Sequence, residues 1–262
     1  MTRTANSSLT NALRILKCFS IDKPELNLSE ISEILKVSKS TACRLVQTLE
    51  SEGFIYQNSF FNTYSLGSSV LALANTAVDQ FAILKETTPF LKKLSFQTNE
   101  SVHIAILEKK DVIYLKKEDS EYRVELRSHI GRRNPAHCTA SGLAILAYLN
   151  SATITTIFTE PLTSYTKYTI TSLEELHSYL QEVRENGYAL SKGHFIEEIV
   201  SVGAPIFNKN KMVVASLTVT GPVKRMIANI DKMIDAVVEV SNDISIFIQT
   251  HEKDVDLEAF IR

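Results

Sequence analysis

Residues 38–48 concentrate side chains that can hold phosphates and read bases. The segment contains Ser38, Lys39, Ser40, Thr41, Arg44 and Thr48. Hydroxyl and ammonium groups suit phosphate oxygens, and an arginine one helical turn further can bond to guanine O6 and N7 or to a phosphate. A solvated surface helix carries a polar face of the same kind. The elements around the segment must therefore decide between the two interpretations.

Two helices are predicted before this segment. Residues 8–20 form the first, in which apolar residues recur at spacings of three and four: Leu9, Ala12, Leu13, Leu16 and Phe19. Asn27 stands three residues before Glu30, the spacing of a capping box, and opens the second helix. That helix is predicted to bury Ile31, Ile34 and Leu35.

A third helix follows after only about three residues, the tight connection that a helix-turn-helix requires. Ser38 is placed to cap it through its hydroxyl. Its inward stripe is predicted to be Ala42, Leu45, Val46 and Leu49. The polar side chains of residues 38–48 then lie on the opposite, outward face.

A β-hairpin is predicted after Gly53. Phe54-Ile55-Tyr56 and Tyr64-Ser65-Leu66 are short β-prone runs on either side of a polar loop, which suggests a wing. Three helices and a wing favour a DNA-reading surface over a merely solvated face. The residues predicted to contact DNA are Ser29, Ser38, Lys39, Ser40, Thr41, Arg44 and Thr48.

Composition indicates an ordinary globular chain. Its 262 residues suit two domains, with 44% hydrophobic and 22% charged residues. No apolar run approaches the roughly 18 residues of a spanning helix, and no signal peptide is recognised, so a cytoplasmic protein without a membrane partner is expected. The formal charge is −2, and residues 1–66 hold seven basic against six acidic residues, so charge alone says little about DNA. Three scattered cysteines predict neither a disulfide framework nor a structural zinc site.

The second half of the chain predicts an α+β domain with a mainly antiparallel sheet. Strands are predicted at 101–108, 111–117, 122–128, 200–207 and 212–220. Helices are predicted at 139–148, from Ser172 to Gly187, and in one long run that begins near Pro222.

Hydroxyl groups in this domain indicate a small-molecule pocket. Thr218 and Thr220 are two apart on a strand, so they emerge on one face, and Ser201 lies on the neighbouring strand. The free N–H groups and small side chains of Ala140 and Ser141, at a helix start, suit a carboxylate. A solvated sheet face is the alternative.

Motifs along nearly the whole chain resemble the IclR family of bacterial transcriptional regulators. The N-terminal motifs are Leu28-Ser29-Glu30-Ile31, Ser38-Lys39-Ser40-Thr41-Ala42-x-Arg44-Leu45 and Tyr64-x-Leu66-Gly67. The C-terminal motifs include Pro135-x-His137-x-Thr139-Ala140-x-Gly142 and Thr218-Val219-Thr220-Gly221-Pro222. One departure concerns the wing loop 57–63, which has no charge where many relatives carry basic residues.

The resemblance implies a winged helix-turn-helix over 1–67, a linker helix over 68–81 and a GAF-like effector-binding domain over 82–262. The helical pattern of the linker also fits an ordinary core-facing helix, whereas the resemblance makes it the contact between two subunits. The implied partners are a palindromic double-stranded DNA operator, a small organic or sugar-derived acid, and further copies in a homodimer or dimer of dimers. No cofactor and no metal are expected. The implied effector-binding residues are Leu126, Asn134, Ala140, Ser141, Ser201, Thr218 and Thr220. An acidic residue also belongs near this site, and its position stays open among Ser191, His194, Glu197 and Glu198.

Two other functions fit the sequence less well. An enzyme would need a catalytic motif, and neither a nucleophile elbow, a zinc-protease signature nor a nucleotide-binding glycine loop is present. The adjacent pair His137-Cys138 invites a thiol–base interpretation, but neighbouring residues rarely point at each other. A ligand-independent DNA-binding repressor would not need the second domain.

Overall fold

The computed structural model describes residues 7–80, 86–122, 128–158 and 161–251, without the side chains of 78–80 and 251. The chain forms two compact units, residues 1–81 and 82–262. Within the described ranges, no helix is both long and apolar enough to cross a membrane.

The first unit contains four helices in its described part: α1 (Ser8–Leu16), α2 (Leu28–Leu35), α3 (Lys39–Ser51) and α4 (Ser68–Gln80). The predicted capping box is confirmed, because the Glu30 N–H donates to Asn27 Oδ1 and the Asn27 N–H donates to Glu30 Oε2. The Thr41 N–H donates to Ser38 Oγ and caps α3 as predicted.

The buried faces of these helices follow the prediction fully for α3 and in part for α1 and α2, since Phe19, Ile31 and Leu35 are buried as predicted. Its stripe of Ala42, Leu45, Val46 and Leu49 is buried. In α1 the core instead takes Asn11 and Ile15, while Leu9 and Leu13 are 69% and 51% exposed, and the helix ends at Leu16. Ile34 of α2 is also exposed. On such short helices several stripes have helical spacing, and the packing partners decide which one turns inward.

The wing completes the first unit. Strands β1 (Leu26–Asn27), β2 (Ile55–Asn58) and β3 (Thr63–Leu66) form an antiparallel sheet in the order β1-β3-β2. The hairpin was predicted, whereas β1 is too short to have a sequence pattern. Ile55 and Tyr64 anchor the sheet in the core of the unit, beside Ile15 and Ile31.

The second unit is a six-stranded antiparallel sheet with helices. Its strands are β4 (Ser101–Glu108), β5 (Asp111–Glu118), β6 (Arg133–Pro135), β7 (Ala189–Lys192), β8 (Ile199–Phe207) and β9 (Val213–Pro222), in the order β6-β5-β4-β9-β8-β7. Its helices are α5 (Thr88–Thr98), α6 (Ala140–Leu146), α7 (Ser151–Ile157), α8 (Leu173–Asn186), α9 (Val223–Ala228) and α10 (Ile230–His251). The predicted α+β class and mainly antiparallel sheet are confirmed.

One predicted strand lies mostly outside the described residues, and one predicted helix is interrupted. Residues 123–127 of the strand predicted at 122–128 lie outside the described residues. The long final helix predicted from near Pro222 is present but interrupted: α9 ends at Ala228, the backbone of Asn229 leaves helical geometry, and α10 begins at Ile230. The Met233 N–H donates to the Asn229 carbonyl oxygen, so Asn229 both closes one helix and opens the next.

Helix α6 is the element that positions the residues of interest in the second unit. It packs against β4, β7, β8 and β9. Leu143, Ile145 and Leu146 are fully buried in a core that also contains Leu176 and Leu180 of α8. Burial of this kind stabilises by roughly 1.5–3 kcal/mol per large apolar side chain, so the position of α6 over the sheet is strongly determined.

Candidate functional site

The start of α3 forms a cluster of exposed hydroxyl groups. Ser38 Oγ lies 3.0 Å from Ser40 Oγ and 2.9 Å from Thr41 Oγ1. Because Ser38 also accepts from the Thr41 N–H, the three side chains are held together at the positive end of a helix of 13 residues. Such an end attracts anions.

The cations of this surface are available to a partner. Lys39 and Arg44 are exposed, and in the described parts of the chain neither has an ion-pair partner. Thr48 is exposed one turn beyond Arg44 and donates to the Arg44 carbonyl oxygen at 3.0 Å. Ser29, on α2, is half-buried.

Gln47 belongs to the same surface and was missed in the sequence. It is exposed, and it follows Arg44 by three positions and Ser40 by seven, which places the three on one helical face. A glutamine amide there can bond to adenine N6 and N7. The helical spacing from Arg44 was the signal that would have identified it.

The turn between α2 and α3 fixes this surface relative to the rest of the unit. Lys36 ends α2 with a left-handed backbone at φ 54°. The buried Ser32 hydroxyl donates to the Val37 carbonyl oxygen at 2.9 Å, and the Val37 N–H donates to the Ser32 carbonyl oxygen. These two bonds hold the tight helix-turn-helix connection that the sequence predicted.

The wing tip carries two exposed aromatic rings. Phe60 is 88% exposed and Phe61 66% exposed, with ring centroids 4.8 Å apart in an edge-to-face arrangement. Asn58 Oδ1 accepts from the Phe60 N–H at 3.1 Å and the Phe61 N–H at 3.4 Å. The Gln57 amide donates to Asn62 Oδ1 at 3.1 Å across the hairpin. The tip is therefore uncharged, apolar at its end and held by amide groups.

A pocket opens in the second unit beside the start of α6. It encloses about 470 Å³ of space between atoms, including its open mouth. Its described lining residues are Tyr114, Ser128, Asn134, Cys138, Thr139, Ala140, Ser141, Ser191, Phe195, Ile196, Ile199, Ser201, Thr218 and Thr220. No lysine, arginine, histidine, aspartate or glutamate is among them.

Close approach between α6 and the sheet creates one wall of this pocket. A Cβ atom on Gly203 would lie 2.7 Å from the Ala140 carbonyl oxygen, a distance that real Cβ atoms do not show. Only glycine lets the start of α6 reach β8 this closely. Thr139 then caps α6 by accepting from the Gly142 N–H at 3.2 Å.

Two pairs of hydrogen-bonded hydroxyl groups line the pocket. The oxygens of Ser141 and Thr218 lie 2.9 Å apart, joining α6 to β9. Thr220 donates to Ser201 at 3.0 Å, joining β9 to β8, where the two residues are direct cross-strand partners. Hydroxyls that are paired with each other can each exchange one bond for a bond to a ligand.

Three further polar side chains, of Tyr114, Asn134 and Ser128, belong to the lining. The Tyr114 hydroxyl accepts from the Asn134 amide at 3.4 Å, and burial raises the pKa of Tyr114, so the phenol stays protonated and can donate. Ser128 Oγ is buried and has no hydrogen-bond partner among the described residues. A buried hydroxyl with no partner costs free energy, which a polar ligand atom or a bound water would recover.

The structure brings together six of the seven predicted pocket residues: Asn134, Ala140, Ser141, Ser201, Thr218 and Thr220. The seventh, Leu126, lies outside the described residues. At the position left open, Ser191 lines the pocket, whereas Glu197 and Glu198 are exposed to solvent. His194 is half-buried near the Tyr179 ring and does not line the pocket. Sequence reasoning missed the apolar wall of Phe195, Ile196 and Ile199, which has no regular pattern.

The pair His137 and Cys138 does not form a thiol–base site. His137 Nε2 lies 3.0 Å from the Thr163 carbonyl oxygen, and the Cys138 thiol points to the Pro135 carbonyl oxygen. Burial raises the pKa of the Cys138 thiol and lowers the pKa of His137, so both stay neutral at pH 7. Within the described part of the chain, no three His, Cys, Asp or Glu side chains converge to hold a metal ion.

Comparison with known protein families identifies the family to which the chain belongs. Residues 8–59 match the IclR helix-turn-helix domain, and residues 75–246 match the bacterial transcriptional regulator IclR C-terminal domain. The chain belongs to the IclR family. It is therefore a DNA-binding transcriptional regulator, and the enzyme alternative is set aside because the curated relatives of this IclR-family protein are regulators.

Individual relatives agree with this assignment. The chain is 32% identical to the HTH-type transcriptional regulator XynR of Escherichia coli (strain K12), over 81% of this chain and 85% of that one. It is 29% identical to an IclR transcriptional regulator from Alicyclobacillus acidocaldarius of known structure, with a TM-score of 0.79 over 92% and 98% of the two chains. An IclR homolog from Microbacterium hydrocarbonoxydans, solved in complex with 4-hydroxybenzoate, shares the fold with a TM-score of 0.81 at 21% identity, over 93% and 100% of the chains.

Proposed function

We propose that this IclR-family regulator controls transcription in response to a small organic or sugar-derived acid that binds in the hydroxyl-lined pocket. The observation that carries the proposal is a concave pocket, about 470 Å³ with its open mouth, whose described lining is uncharged and includes the buried hydroxyl of Ser128, which has no hydrogen-bond partner among the described residues. A ligand-independent repressor would have no use for such a pocket.

The lining suggests how the ligand would be recognised. Ser141, Thr218 and Ser201 offer hydroxyl donors and acceptors on one side. Phe195, Ile196 and Ile199 offer an apolar wall on the other. Among the described lining residues, hydroxyl and backbone N–H groups are the donors that would hold a carboxylate, and the ligand's own hydroxyl groups would add to the specificity. A compact hydroxylated acid such as 4-hydroxybenzoate, the ligand of the Microbacterium homolog, has this chemistry.

The DNA-facing residues of the proposal lie on α3 and at its N-cap, except Ser29, which lies on α2. Ser38, Ser40 and Thr41 hold phosphates, and Arg44 with Gln47 reads bases, while Lys39, Thr48 and Ser29 contribute further backbone contacts. A protein that acts on chromosomal operators is accordingly placed in the bacterial cytoplasm.

We further propose a homodimer, or a dimer of dimers, on a palindromic operator. Helix α4 leaves Leu71 64% exposed, and Ala74 on the same face is also exposed, which fits a helix that pairs with its own copy. The residues 68–81 would then be the linker through which subunits pair. A two-fold axis between two copies of α3 matches two half-sites of a palindrome.

The test combines calorimetry with DNA binding. The probes are small carboxylic acids, sugar acids and the neutral alcohol of each, together with duplexes that the full-length protein enriches from a random pool. We expect one acid to bind and to change DNA affinity. Thr218→Val, which keeps shape and removes a hydroxyl, should weaken that acid about tenfold, the equivalent of about 1.4 kcal/mol.

Thr155→Val is the matched control, because Thr155 is exposed and donates within its own helix. It should leave both binding reactions unchanged. If no compound of the panel binds and Thr218→Val leaves DNA binding unaltered under all conditions, the pocket is not an effector site.

A further inference from the structure

The wing tip differs from the rest of the DNA-facing unit in its chemistry. Gln57 to Thr63 contain no charged residue, so this loop has no cation for a phosphate. It nevertheless presents Phe60 at 88% exposure, more than any other large apolar side chain in the described parts of the chain. Burial of so exposed a ring against a partner would be favourable.

We propose that Phe60 is an apolar wedge that enters the minor groove of bound DNA and opens a base step. Side chains such as phenylalanine unstack base steps in this way and kink the duplex, while asparagine and glutamine read the groove beside them. The inference rests on the DNA-binding function of the family and adds a residue, a groove and a deformation to it.

The tip is built to hold such a wedge. Asn58 Oδ1 accepts from the Phe60 and Phe61 N–H groups, and the Asn62 N–H donates to the Asn58 carbonyl oxygen at 2.8 Å. The Phe61 ring supports Phe60 edge to face. The backbone that carries the ring is therefore held in place without a partner, which lowers the entropy cost of binding.

The length of the wing suits two adjacent grooves, because β2 packs against α3. Strand β2 has four residues, so the tip stands roughly 13 Å beyond the start of the wing. The major groove is about 12 Å wide. When α3 lies in the major groove, the tip of the same rigid unit is within reach of the flanking minor groove. The amides of Gln57, Asn58 and Asn62 then lie beside the ring.

A second copy of the chain is a poorer partner for this tip. Two phenylalanines offer at most about 300–500 Å², below the roughly 800 Å² per partner of a standard protein interface. The flanking amides add hydrogen-bonding groups that suit base edges and sugars more than an apolar interface. DNA is therefore the occupant that the tip fits.

The experiment uses full-length protein and the duplexes that it enriches from a random pool. Affinity is measured at several salt concentrations, and bending is measured by energy transfer between dyes at the duplex ends. Phe60→Ala should weaken binding on the order of tenfold, in the range found for loss of one aromatic–base stack, and should reduce the bend. The salt slope should not change, because no phosphate contact is lost.

Two variants sharpen the result. Phe60→Leu keeps an apolar wedge and should recover most of the bend. Phe96→Ala is the matched control, because Phe96 is 86% exposed in the second unit, and it should bind like the wild type. Enriched duplexes should share a flexible TA or CA/TG step at a fixed distance from the bases read in the major groove.

The outcomes separate the wedge from DNA binding itself. If the wild type enriches and binds duplexes while Phe60→Ala bends and binds them like Phe96→Ala, the wedge is wrong and DNA binding stands. If Phe60→Ala changes the sedimentation of the protein without DNA, the tip is a contact between copies, and the proposal is overturned. A wild type that enriches no duplex overturns both.

Discussion

The α3 surface and the pocket both use serine and threonine hydroxyls, but these groups are exposed and close in sequence on α3, and buried and distant in sequence in the pocket. On α3, Ser38, Ser40 and Thr41 bond to one another within three positions and remain largely open to water. In the pocket, Ser141 and Thr218 meet across 77 positions and are buried. The first cluster is local and lies beside free cations. The second exists only when the sheet and α6 are assembled, and its described lining residues carry no charge.

This difference matters for recognition. A phosphate backbone is best held by exposed donors beside cations, since its affinity comes from charge. A small metabolite is distinguished by the exact placement of a few buried donors and acceptors. The same residue type therefore serves two partners according to its burial.

The two units also differ in their histidine content, so lowering the pH should affect their stabilities differently. We expect this to be the largest of the predicted effects. Residues 1–81 contain none, whereas the second unit buries His103 with both ring nitrogens partnerless, and burial lowers its pKa to about 3. Lys117 lowers this pKa further and Asp119 opposes the shift. The unfolded chain binds a proton near pH 6.5 and the native protein does not, so stability is full above that pH and falls below it.

Between pH 6.5 and 4 this loss should reach roughly 3 kcal/mol for the second unit. Hydrogen exchange, measured on individual peptides, gives the stability of each unit separately. His103→Phe should make the decline of the second unit shallower and leave peptides of the first unit unchanged. An identical pH profile in the variant would show that another group causes the loss.

The exposed cation Arg44 should carry the next largest effect. Arg44→Ala should weaken binding to the enriched duplexes by about 1–3 kcal/mol if it reads a base, or reduce the salt slope by roughly 0.9 if it holds a phosphate. Arg44→Lys separates these roles, because it keeps the charge and loses the bidentate fork. Lys224→Ala removes an exposed charge from the second unit and should change neither quantity. Unchanged affinity in both Arg44 variants would contradict the proposed surface.

The smallest effect tests whether the local cluster has two roles. Ser38→Ala should destabilise α3 by about 1 kcal/mol through loss of the cap, seen as faster exchange in that helix. Ser38→Asp keeps the cap and places a negative charge where a phosphate would bind. It should fold normally and bind DNA more weakly than Ser38→Ala. Equal DNA affinity in the two variants would place phosphate elsewhere.

Local signals predicted much of both units. The caps at Asn27, Ser38 and Ser172 were predicted because a side chain and a backbone N–H three residues later are neighbours in any helix start. Gly187 ended α8 as predicted, with a left-handed backbone at φ 78°. The inward stripe of α3 was confirmed because its apolar positions leave a single choice of face.

Other features depended on packing. Leu9 and Leu13 were predicted inward and are exposed, because Asn11 and Ile15 of the same short helix meet the core instead. The long C-terminal helix was broken at Asn229, where no proline or glycine marks the boundary. In the pocket, Ser128 and Tyr114 had no pattern to identify them.

The sequence by itself determined the helix-turn-helix, its wing and the polar face of α3, because capping and helical periodicity act over a few residues. It also determined that the wing loop is uncharged and carries two phenylalanines in its middle. Only the tertiary structure decided that Ser128 lies partnerless beside Thr218 and Ser201, and that Gly203 lets α6 approach β8. Those contacts join segments far apart in the chain, and their geometry follows from packing the core, which no local pattern records.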